Sequence, residues 1–191
     1  MAQSLHKIII IAAPSGAGKT SIVRHLMNVF EGQLGFSVSC ATRAPRANEK
    51  NGVDYFFISP EEFKQRIDQD AFAEWEMVYE GKYYGTPRSE LQRIWSEEKT
   101  PLLDVDVKGG LNVKQNYPDS LSIFIEPPSL EILRERLKAR GTESADSLEA
   151  RVSKASLEMS FRDRFDKIVV NDSLPVACNT VEGWVRAYLS L

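Results

Sequence analysis

The stretch Lys7-Ile8-Ile9-Ile10-Ile11-Ala12-Ala13-Pro14-Ser15-Gly16-Ala17-Gly18-Lys19-Thr20 decides the fold of this chain. Its apolar first half predicts a buried strand, and its glycine-rich second half predicts a phosphate-binding loop that leads into a helix. Gly16 and Gly18 let successive backbone N–H groups turn toward an anion, and the positive end of the following helix adds to that attraction. Lys19 is expected to reach the outer phosphates, and Thr20 is expected to offer a hydroxyl to Mg²⁺.

The loop departs from the usual pattern G-x-x-x-x-G-K-[ST] at its first position, where Ala13 stands in place of glycine. Alanine restricts φ, so the backbone at Ala13 must adopt a conformation that an L-residue tolerates. The alternative is a plain glycine-rich turn, which would need neither Lys19 nor a wholly apolar strand before it. The spacing therefore favours phosphate binding by the residues Ala13, Pro14, Ser15, Gly16, Ala17, Gly18, Lys19 and Thr20.

The chain has 191 residues, two cysteines and a formal net charge of −3. This length predicts about one domain. The lack of a basic tract argues against nucleic-acid binding, and no apolar run reaches the length of a membrane span. Cys40 and Cys178 lack metal-ligand spacing and are interpreted as reduced thiols of a cytoplasmic protein. The short segment before the first strand leaves no room for a signal peptide, which supports the same expectation.

Apolar runs and helical periodicity alternate along the chain and indicate an α/β fold. The predicted strands are 7–12, 36–40, 54–58, 101–105, 121–126 and 167–171. Cap signals and apolar stripes predict helices at 18–30, from 59, at 87–98, from 129, from 146 and at 175–190. Ser59 before Pro60 and Thr86 before Pro87 are the predicted caps of the second and third of these helices. Four nearly continuous apolar strands predict a parallel sheet that is covered by helices on both faces.

Two segments do not fit this alternation. Segment 36–85 is polar, aromatic and rich in turn signals (Asn51-Gly52, Glu80-Gly81 and Tyr84-Gly85), and it predicts a small, mostly β insertion over the carboxyl edge of the sheet. Segment 136–151 places glycine and several arginines between two helices, which predicts a mobile lid.

Nine short motifs follow one another along the chain, at 14–20, 36–39, 42–46, 52–57, 74–75, 83–86, 104–106, 140–143 and 169–172. In this order and spacing they resemble the guanylate kinase family over nearly the whole chain. The resemblance implies transfer of the γ-phosphoryl group of ATP to GMP or dGMP, with Mg²⁺ as cofactor and no obligate protein partner. It implies a P-loop kinase fold with a core that carries the phosphate loop (1–35, 87–135 and 165–191), a GMP-binding domain (36–86) and a helical lid (136–164).

Guanine recognition needs an acceptor for N1–H and N2–H₂ and a donor for O6. One carboxylate can accept from both nitrogens, whereas adenine has an acceptor at N1 and would leave that carboxylate unpaired. The resemblance assigns this pocket to Glu74 with Ser39, Thr86 and Asp106. It assigns the GMP phosphate to Arg43, Arg46, Tyr55 and Tyr84; the two arginines flank Pro45, which stiffens the backbone between them.

The phosphate oxygen of such an acceptor is already anionic, so the reaction needs no general base. His6 and His25 show no evident acidic partner in the sequence and are interpreted as unremarkable histidines. Catalysis then depends on positioning and on charge neutralisation. We assign these roles to the cations Lys19, Arg136, Arg140 and Arg151. Asp104 and Asp106 end one apolar strand; Asp104 is assigned with Thr20 to Mg²⁺, through water, and Asn171 is placed near adenine by resemblance.

Each assignment has a plainer alternative. The arginines would then be solvated surface charges, Glu74 a surface carboxylate beside a core indole, and the two aspartates part of a strand-end turn. Two other functions also stay open. One is a non-catalytic, guanylate-kinase-like interaction module, which would lack the phosphate loop or the GMP set. The other is a related small-molecule kinase, which would lack a guanine-reading carboxylate.

Overall fold

The computed structural model describes residues 6–139 and 145–190, and the strands of these residues form two separate sheets. The strands are β1 (Ile9–Ala12), β2 (Leu34–Phe36), β3 (Ser39–Ala41), β4 (Tyr55–Phe57), β5 (Phe72–Tyr79), β6 (Lys82–Pro87), β7 (Thr100–Val105), β8 (Leu121–Glu126) and β9 (Lys167–Val170). The helices are α1 (Lys19–Val29), α2 (Pro60–Asp68), α3 (Arg88–Ser96), α4 (Val107–Asn116), α5 (Leu130–Ala139), α6 (Ala145–Met159) and α7 (Leu174–Leu189), with a 3₁₀ turn at Arg162–Arg164.

The larger sheet has five parallel strands in the order β2-β7-β1-β8-β9. Its central strand β1 is fully buried because helices cover both of its faces. Ile9 and Ile11 pack in a cluster with residues of α1 and α7. Ile8 and Ile10 pack in another with Leu91 of α3 and Val113 of α4. The predicted parallel sheet with helices on both faces is confirmed.

The order of the strands places the functional loops side by side. β1 pairs with β7 so that Ile11 is opposite Asp104, and both strands therefore end at the same edge of the sheet. The phosphate loop follows β1 at this edge, and Asp106 follows β7. Ligands of open α/β sheets bind at this carboxyl edge.

The smaller sheet has the order β4-β3-β6-β5, and its strands come from the segment that was predicted to be a small β insertion. β5 and β6 form an antiparallel hairpin whose predicted turn at Glu80-Gly81 is present, with Gly81 at φ +69°. The turn predicted at Tyr84-Gly85 is wrong, because both residues lie inside β6. Packing favours glycine there, because a Cβ atom on Gly85 would lie 3.0 Å from the side chains of Phe63, Phe72 and Trp75.

The single strand predicted at 36–40 is also wrong. β2 ends at Phe36 in the larger sheet, and β3 begins at Ser39 in the smaller one. Between them, the backbone N–H of Val38 donates to the buried carboxylate of Glu90 on α3, at 3.0 Å. This contact satisfies the backbone where the chain passes from one sheet to the other.

Of two predicted helix caps, the one at Ser59 is confirmed and the one at Thr86 is wrong. Ser59 caps α2 as predicted, because its hydroxyl accepts from the N–H of Glu62 at 3.1 Å. The helix predicted at 87–98 instead runs from Arg88 to Ser96, and Thr86 is not its cap. Thr86 lies in β6, and its hydroxyl donates to Glu74 at 2.7 Å.

Helices α5 and α6 pack on each other through a small apolar cluster of Leu133, Leu137, Leu148 and Ala155. Arg140, one of the predicted lid cations, lies outside the described residues. The division of the chain into core, GMP-binding domain and lid stays a prediction. Within residues 6–139 and 145–190, no helix has both the length and the apolar character that crossing a bilayer requires.

Candidate active site

The phosphate loop connects β1 to α1 and depends on two glycines with left-handed backbone. Gly16 and Gly18 have φ values of +94° and +95°, which L-residues rarely adopt. A Cβ atom on Gly18 would also lie 2.2 Å from Nδ2 of Asn171. That amide nitrogen donates to the carbonyl of Ala17 at 2.8 Å, so Asn171 supports the loop from the end of β9.

The alanine at the first position of the loop adds no backbone strain. Among the described residues, the non-glycine residues with positive φ are Asp70 and Glu98, so the backbone of Ala13 lies outside the left-handed region. Its side chain is buried in the apolar core, with 4% exposed. The loop therefore keeps its shape without the usual first glycine.

Lys19 is fixed at the carboxyl edge of the sheet. Its Nζ atom lies 2.5 Å from Oδ1 of Asp104 and donates to the carbonyl of Val105, also at 2.5 Å. Burial works against the charged form of Lys19, but the carboxylate of Asp104 outweighs it and raises the pKa of the ammonium group. Lys19 is therefore a cation at neutral pH, and its position is set by β7.

A cleft lies where the phosphate loop, the end of β7, the smaller sheet and α6 meet. Many of the predicted site residues line it: Ala13, Ser15, Lys19, Ser39, Arg46, Tyr55, Glu74, Tyr84, Asp104, Asp106 and Arg151. A second cleft shares Ser39, Arg46, Tyr55 and Asp104 with the first and adds Thr20. The structure thus places the phosphate loop and the smaller sheet around one continuous cleft.

Glu74 is a buried carboxylate in the wall of the cleft, with 7% of the residue exposed. It pairs with Thr86 across the β5–β6 hairpin, and Oε1 of Glu74 accepts from the Thr86 hydroxyl at 2.7 Å. Thr86 itself is fully buried behind it. Burial raises the pKa of Glu74 to about 7, and the nearby carboxylate of Asp106 adds to the rise.

Asp106 has a structural contact that the sequence did not indicate. It caps α4, where its Oδ1 atom accepts from the N–H of Gly109 at 2.8 Å. A Cβ atom on Gly109 would lie 2.8 Å from Oε2 of Glu74 and 2.9 Å from Oδ1 of Asp106. Gly109 therefore makes room for both carboxylates.

Arg43 does not line either cleft; it lies behind the tyrosines. Its Nε atom donates to the hydroxyl oxygen of Tyr84 at 3.0 Å, and its two terminal nitrogens bind the carboxylate of Glu49. The guanidinium also lies over the ring of Tyr55, 5.1 Å from its centre. Arg46, with 62% of its side chain exposed, lines both clefts.

Two of the predicted lid arginines approach the phosphate loop. Nη1 of Arg151 on α6 donates to the hydroxyl of Ser15 at 3.3 Å. Nη2 of Arg136 on α5 donates to the carbonyl of Asn171 at 3.0 Å. The Nη1 atom of Arg136 is buried and makes no hydrogen bond to the described residues, and the same holds for the Oδ1 atom of Asn171. Such atoms next to the loop are suited to a polar ligand.

Sequence reasoning missed Lys154 and Glu158 of α6, which also line the cleft. Nζ of Lys154 lies 3.4 Å from Glu158 and 3.8 Å from Asp106. The four-residue spacing predicts the first contact on a helix, but no local signal indicates the second. The prediction that His25 lacks an acidic partner is wrong: its Nε2 atom lies 3.1 Å from the carboxylate of Glu182 on α7, away from the cleft.

The oxygens of Thr20 and Asp104 are hard donors of the kind that Mg²⁺ prefers, and both residues line the second cleft. Among the described residues, no group of three or more His, Cys, Asp or Glu side chains is arranged to hold a metal ion. Cys40 and Cys178 are buried free thiols.

A glycine loop between β1 and α1, a fixed lysine beside it and a polar wall across the cleft define a P-loop kinase. The family model described as guanylate kinase matches residues 5–188. The chain belongs to the guanylate kinase family.

Relatives and a solved structure agree with this assignment. The guanylate kinase of Porphyromonas gingivalis is 50% identical over 185 residues, which cover 96% of this chain and 98% of that protein. That of Salinibacter ruber is 46% identical over 184 residues, or 96% and 97% of the two chains. The crystal structure of guanylate kinase from Anaplasma phagocytophilum has a TM-score of 0.76 and 28% identity, and the match covers 97% of this chain and 87% of that one.

Proposed function

We propose that this protein transfers the γ-phosphoryl group of ATP to GMP, and to dGMP, and releases ADP and the nucleoside diphosphate. One observation carries the proposal: Lys19 of the phosphate loop and the buried carboxylate of Glu74 line the same cleft. The first suits a triphosphate, and the second suits the N–H edge of guanine. The names of the relatives support this activity.

The guanine pocket is formed by Glu74, Thr86 and Ser39. Because Thr86 donates to Oε1 of Glu74, the ionised carboxylate keeps Oε2 and its remaining lone pairs for N1–H and N2–H₂ of guanine. Ser39 is 8% exposed and lines the cleft, where its hydroxyl can donate to O6. A site built on such hydrogen bonds rejects a base without them by roughly 10⁴-fold.

The phosphates are held by cations and hydroxyls that surround the rest of the cleft. Arg46, Tyr55 and Tyr84 line it on the GMP side. The phosphate loop with Lys19, and Arg151 bound to Ser15, lie on the ATP side. When bound with ATP, Mg²⁺ supplies further charge neutralisation, and Thr20 and Asp104 are the residues that would hold it. These groups stabilise the transferring phosphoryl group by charge and position, without a general base.

The Gly109→Ala substitution is expected to raise KM for GMP about 10- to 100-fold, because the new methyl group displaces the carboxylate of Glu74. The matched control is Gly183→Ala in α7, where a Cβ atom meets nothing within 4 Å. That control should leave the kinetics unchanged and stabilise the fold by about 0.5–1 kcal/mol. Steady-state kinetics and thermal unfolding measure both effects; an unchanged KM in Gly109→Ala would contradict the assignment of Glu74.

The activity with GMP is expected to fall at mildly acidic pH. The pKa of Glu74 is about 7, and the protonated form cannot accept from both N1–H and N2–H₂. The kcat/KM for GMP should therefore level off above pH 7 and fall about tenfold per pH unit below it. The GMP phosphate itself titrates near pH 6, so a profile that breaks only there would contradict this role of Glu74. The control is the Glu74→Gln variant, whose pH profile should show only the titration of the GMP phosphate.

Product analysis tests the proposed function directly. The purified protein is incubated with ATP and GMP, and the nucleotides are separated by anion-exchange chromatography. The proposal predicts equal amounts of ADP and GDP, and loss of both when EDTA removes Mg²⁺. ADP with inorganic phosphate but no GDP would contradict it, and no reaction at all would favour the non-catalytic interaction module.

A further inference from the structure

Glu49, in the loop between β3 and β4, binds both arginines that were assigned to the GMP phosphate. Its Oε2 and Oε1 atoms accept from Nη1 and Nη2 of Arg43 at 2.5 and 2.7 Å. Oε2 also accepts from the backbone N–H of Arg46 at 2.8 Å, and the side chain of Arg46 lies 3.8 Å from Oε1. The side chain of Glu49 is only 15% exposed, so this is a built contact and not a loose surface pair.

The contact fixes the orientation of Arg43. Its Nη1 atom also donates to the carbonyl of Ala44 at 3.0 Å, and the guanidinium plane lies over the rings of Tyr55 and Phe57. The hydrogen bonds from Arg43 hold the pKa of the Glu49 carboxyl below its usual range. The pair is therefore fully ionised at neutral pH, and rotation of Arg43 would break several contacts at once.

Arg43 is linked to the cleft by its hydrogen bond to Tyr84. Because the hydroxyl oxygen of Tyr84 accepts from Nε of Arg43, its own proton is directed elsewhere and is available to an anion. Tyr84 and Tyr55 both line the cleft, and their rings make an edge contact with centres 5.9 Å apart. The chain of contacts thus runs from Glu49 through Arg43 to the two tyrosines.

We infer that Glu49 is a positioning residue for the phosphate of the acceptor nucleotide. It holds Arg43 in the orientation that fixes Tyr84 and supports Tyr55, and it tethers Arg46 beside them. This inference rests on the proposed GMP site. The opposite role is that Glu49 occupies the arginines as a competing anion, in which case its removal would improve GMP binding.

The Glu49→Gln substitution distinguishes the two roles by the direction in which KM for GMP changes. It replaces one acceptor oxygen with an NH₂ group that faces the donors of Arg43, so we expect KM for GMP to rise about 10- to 100-fold. We expect kcat to stay within about threefold and KM for ATP to stay unchanged, because the phosphate loop is not touched. An unchanged or lower KM for GMP would overturn the inference.

A double-mutant cycle with Arg43→Lys shows whether Glu49 acts through Arg43. An ammonium group cannot be held by two parallel bonds, so Glu49→Gln should raise KM for GMP several-fold less in the Arg43→Lys background, where only its contacts with Arg46 remain to be lost. The full effect in that background would mean a general role in folding the loop and would also overturn the inference. The control is Glu97→Gln, whose carboxylate binds Arg93 and Lys99 at 2.8 Å on the surface. Wild-type turnover of GMP is measured first; its absence would instead contradict the proposed function.

Discussion

The Lys19→Met variant is expected to lose about 10³-fold in kcat while it keeps its fold. The ammonium group of Lys19 is held at 2.5 Å from Asp104 and at 2.5 Å from the carbonyl of Val105, which fixes a positive charge beside the phosphate loop. Removing one preorganised charge or donor of this kind costs roughly 10²–10³-fold in kcat. Methionine keeps the apolar stem and removes only the charge.

Folding measurements on the Lys19→Met variant should show that it loses catalysis and not its folded structure. The carboxylate of Asp104 keeps 18% of its side chain exposed, so water can solvate it after the substitution. Circular dichroism and thermal unfolding should therefore resemble those of the wild type. The control is Lys64→Met on the exposed side of α2, which should leave kcat unchanged. Full turnover by Lys19→Met would contradict the assignment of the phosphate loop.

The Glu74→Gln variant is expected to lose about 10³-fold in kcat/KM for GMP and to change little toward AMP. The amide presents an NH₂ group where guanine also presents donors, and because Glu74 is buried this mismatch leaves donors without acceptors. The preference for GMP over AMP should therefore collapse. Measurement of kcat/KM for both nucleotides gives the effect as a ratio.

Glu76 provides a matched control for this substitution. It lies two residues along the same strand and lines the same cleft, but its carboxylate is 3.7 Å from Lys108 and not bonded to Thr86. We expect Glu76→Gln to change the GMP/AMP ratio by less than about threefold. Equal effects of the two substitutions would show that the cleft responds to net charge and that Glu74 does not read the base.

The features that the sequence predicted correctly are local. The phosphate loop is a continuous stretch whose strand, glycines and lysine all fall within 14 residues, from Lys7 to Thr20, and the structure has the predicted strand, loop and helix. The parallel sheet was predicted because strands buried on both faces have continuous apolar runs. Such patterns depend on neighbours in the chain and need no knowledge of distant contacts.

The features that the sequence did not predict depend on residues far apart in the chain. The break between β2 and β3 depends on a bond from Val38 to Glu90, 52 residues away. The contact of Lys154 with Asp106 joins α6 to the end of β7. Thr86 was interpreted as a helix cap as well as a guanine ligand, because the register that pairs it with Glu74 is not visible in the sequence.

Arg43 shows the same limit at the level of a single side chain. A pair of arginines around a proline indicates anion binding, but the pattern does not tell which of them faces the ligand. The structure shows Arg46 in the cleft and Arg43 behind Tyr84, bound by Glu49. The roles in binding GMP stay predictions for all four assigned residues, Arg43, Arg46, Tyr55 and Tyr84. The double-mutant cycle of Glu49 and Arg43 tests the role of Arg43 through KM for GMP.

The most direct test of the account is acceptor selectivity, measured as ADP release from ATP with GMP, dGMP, AMP, CMP and UMP in turn. The cleft shared by Lys19 and Glu74 predicts rapid turnover with GMP and dGMP and a kcat/KM for AMP lower by roughly 10⁴-fold. Equal rates with GMP and AMP would contradict it.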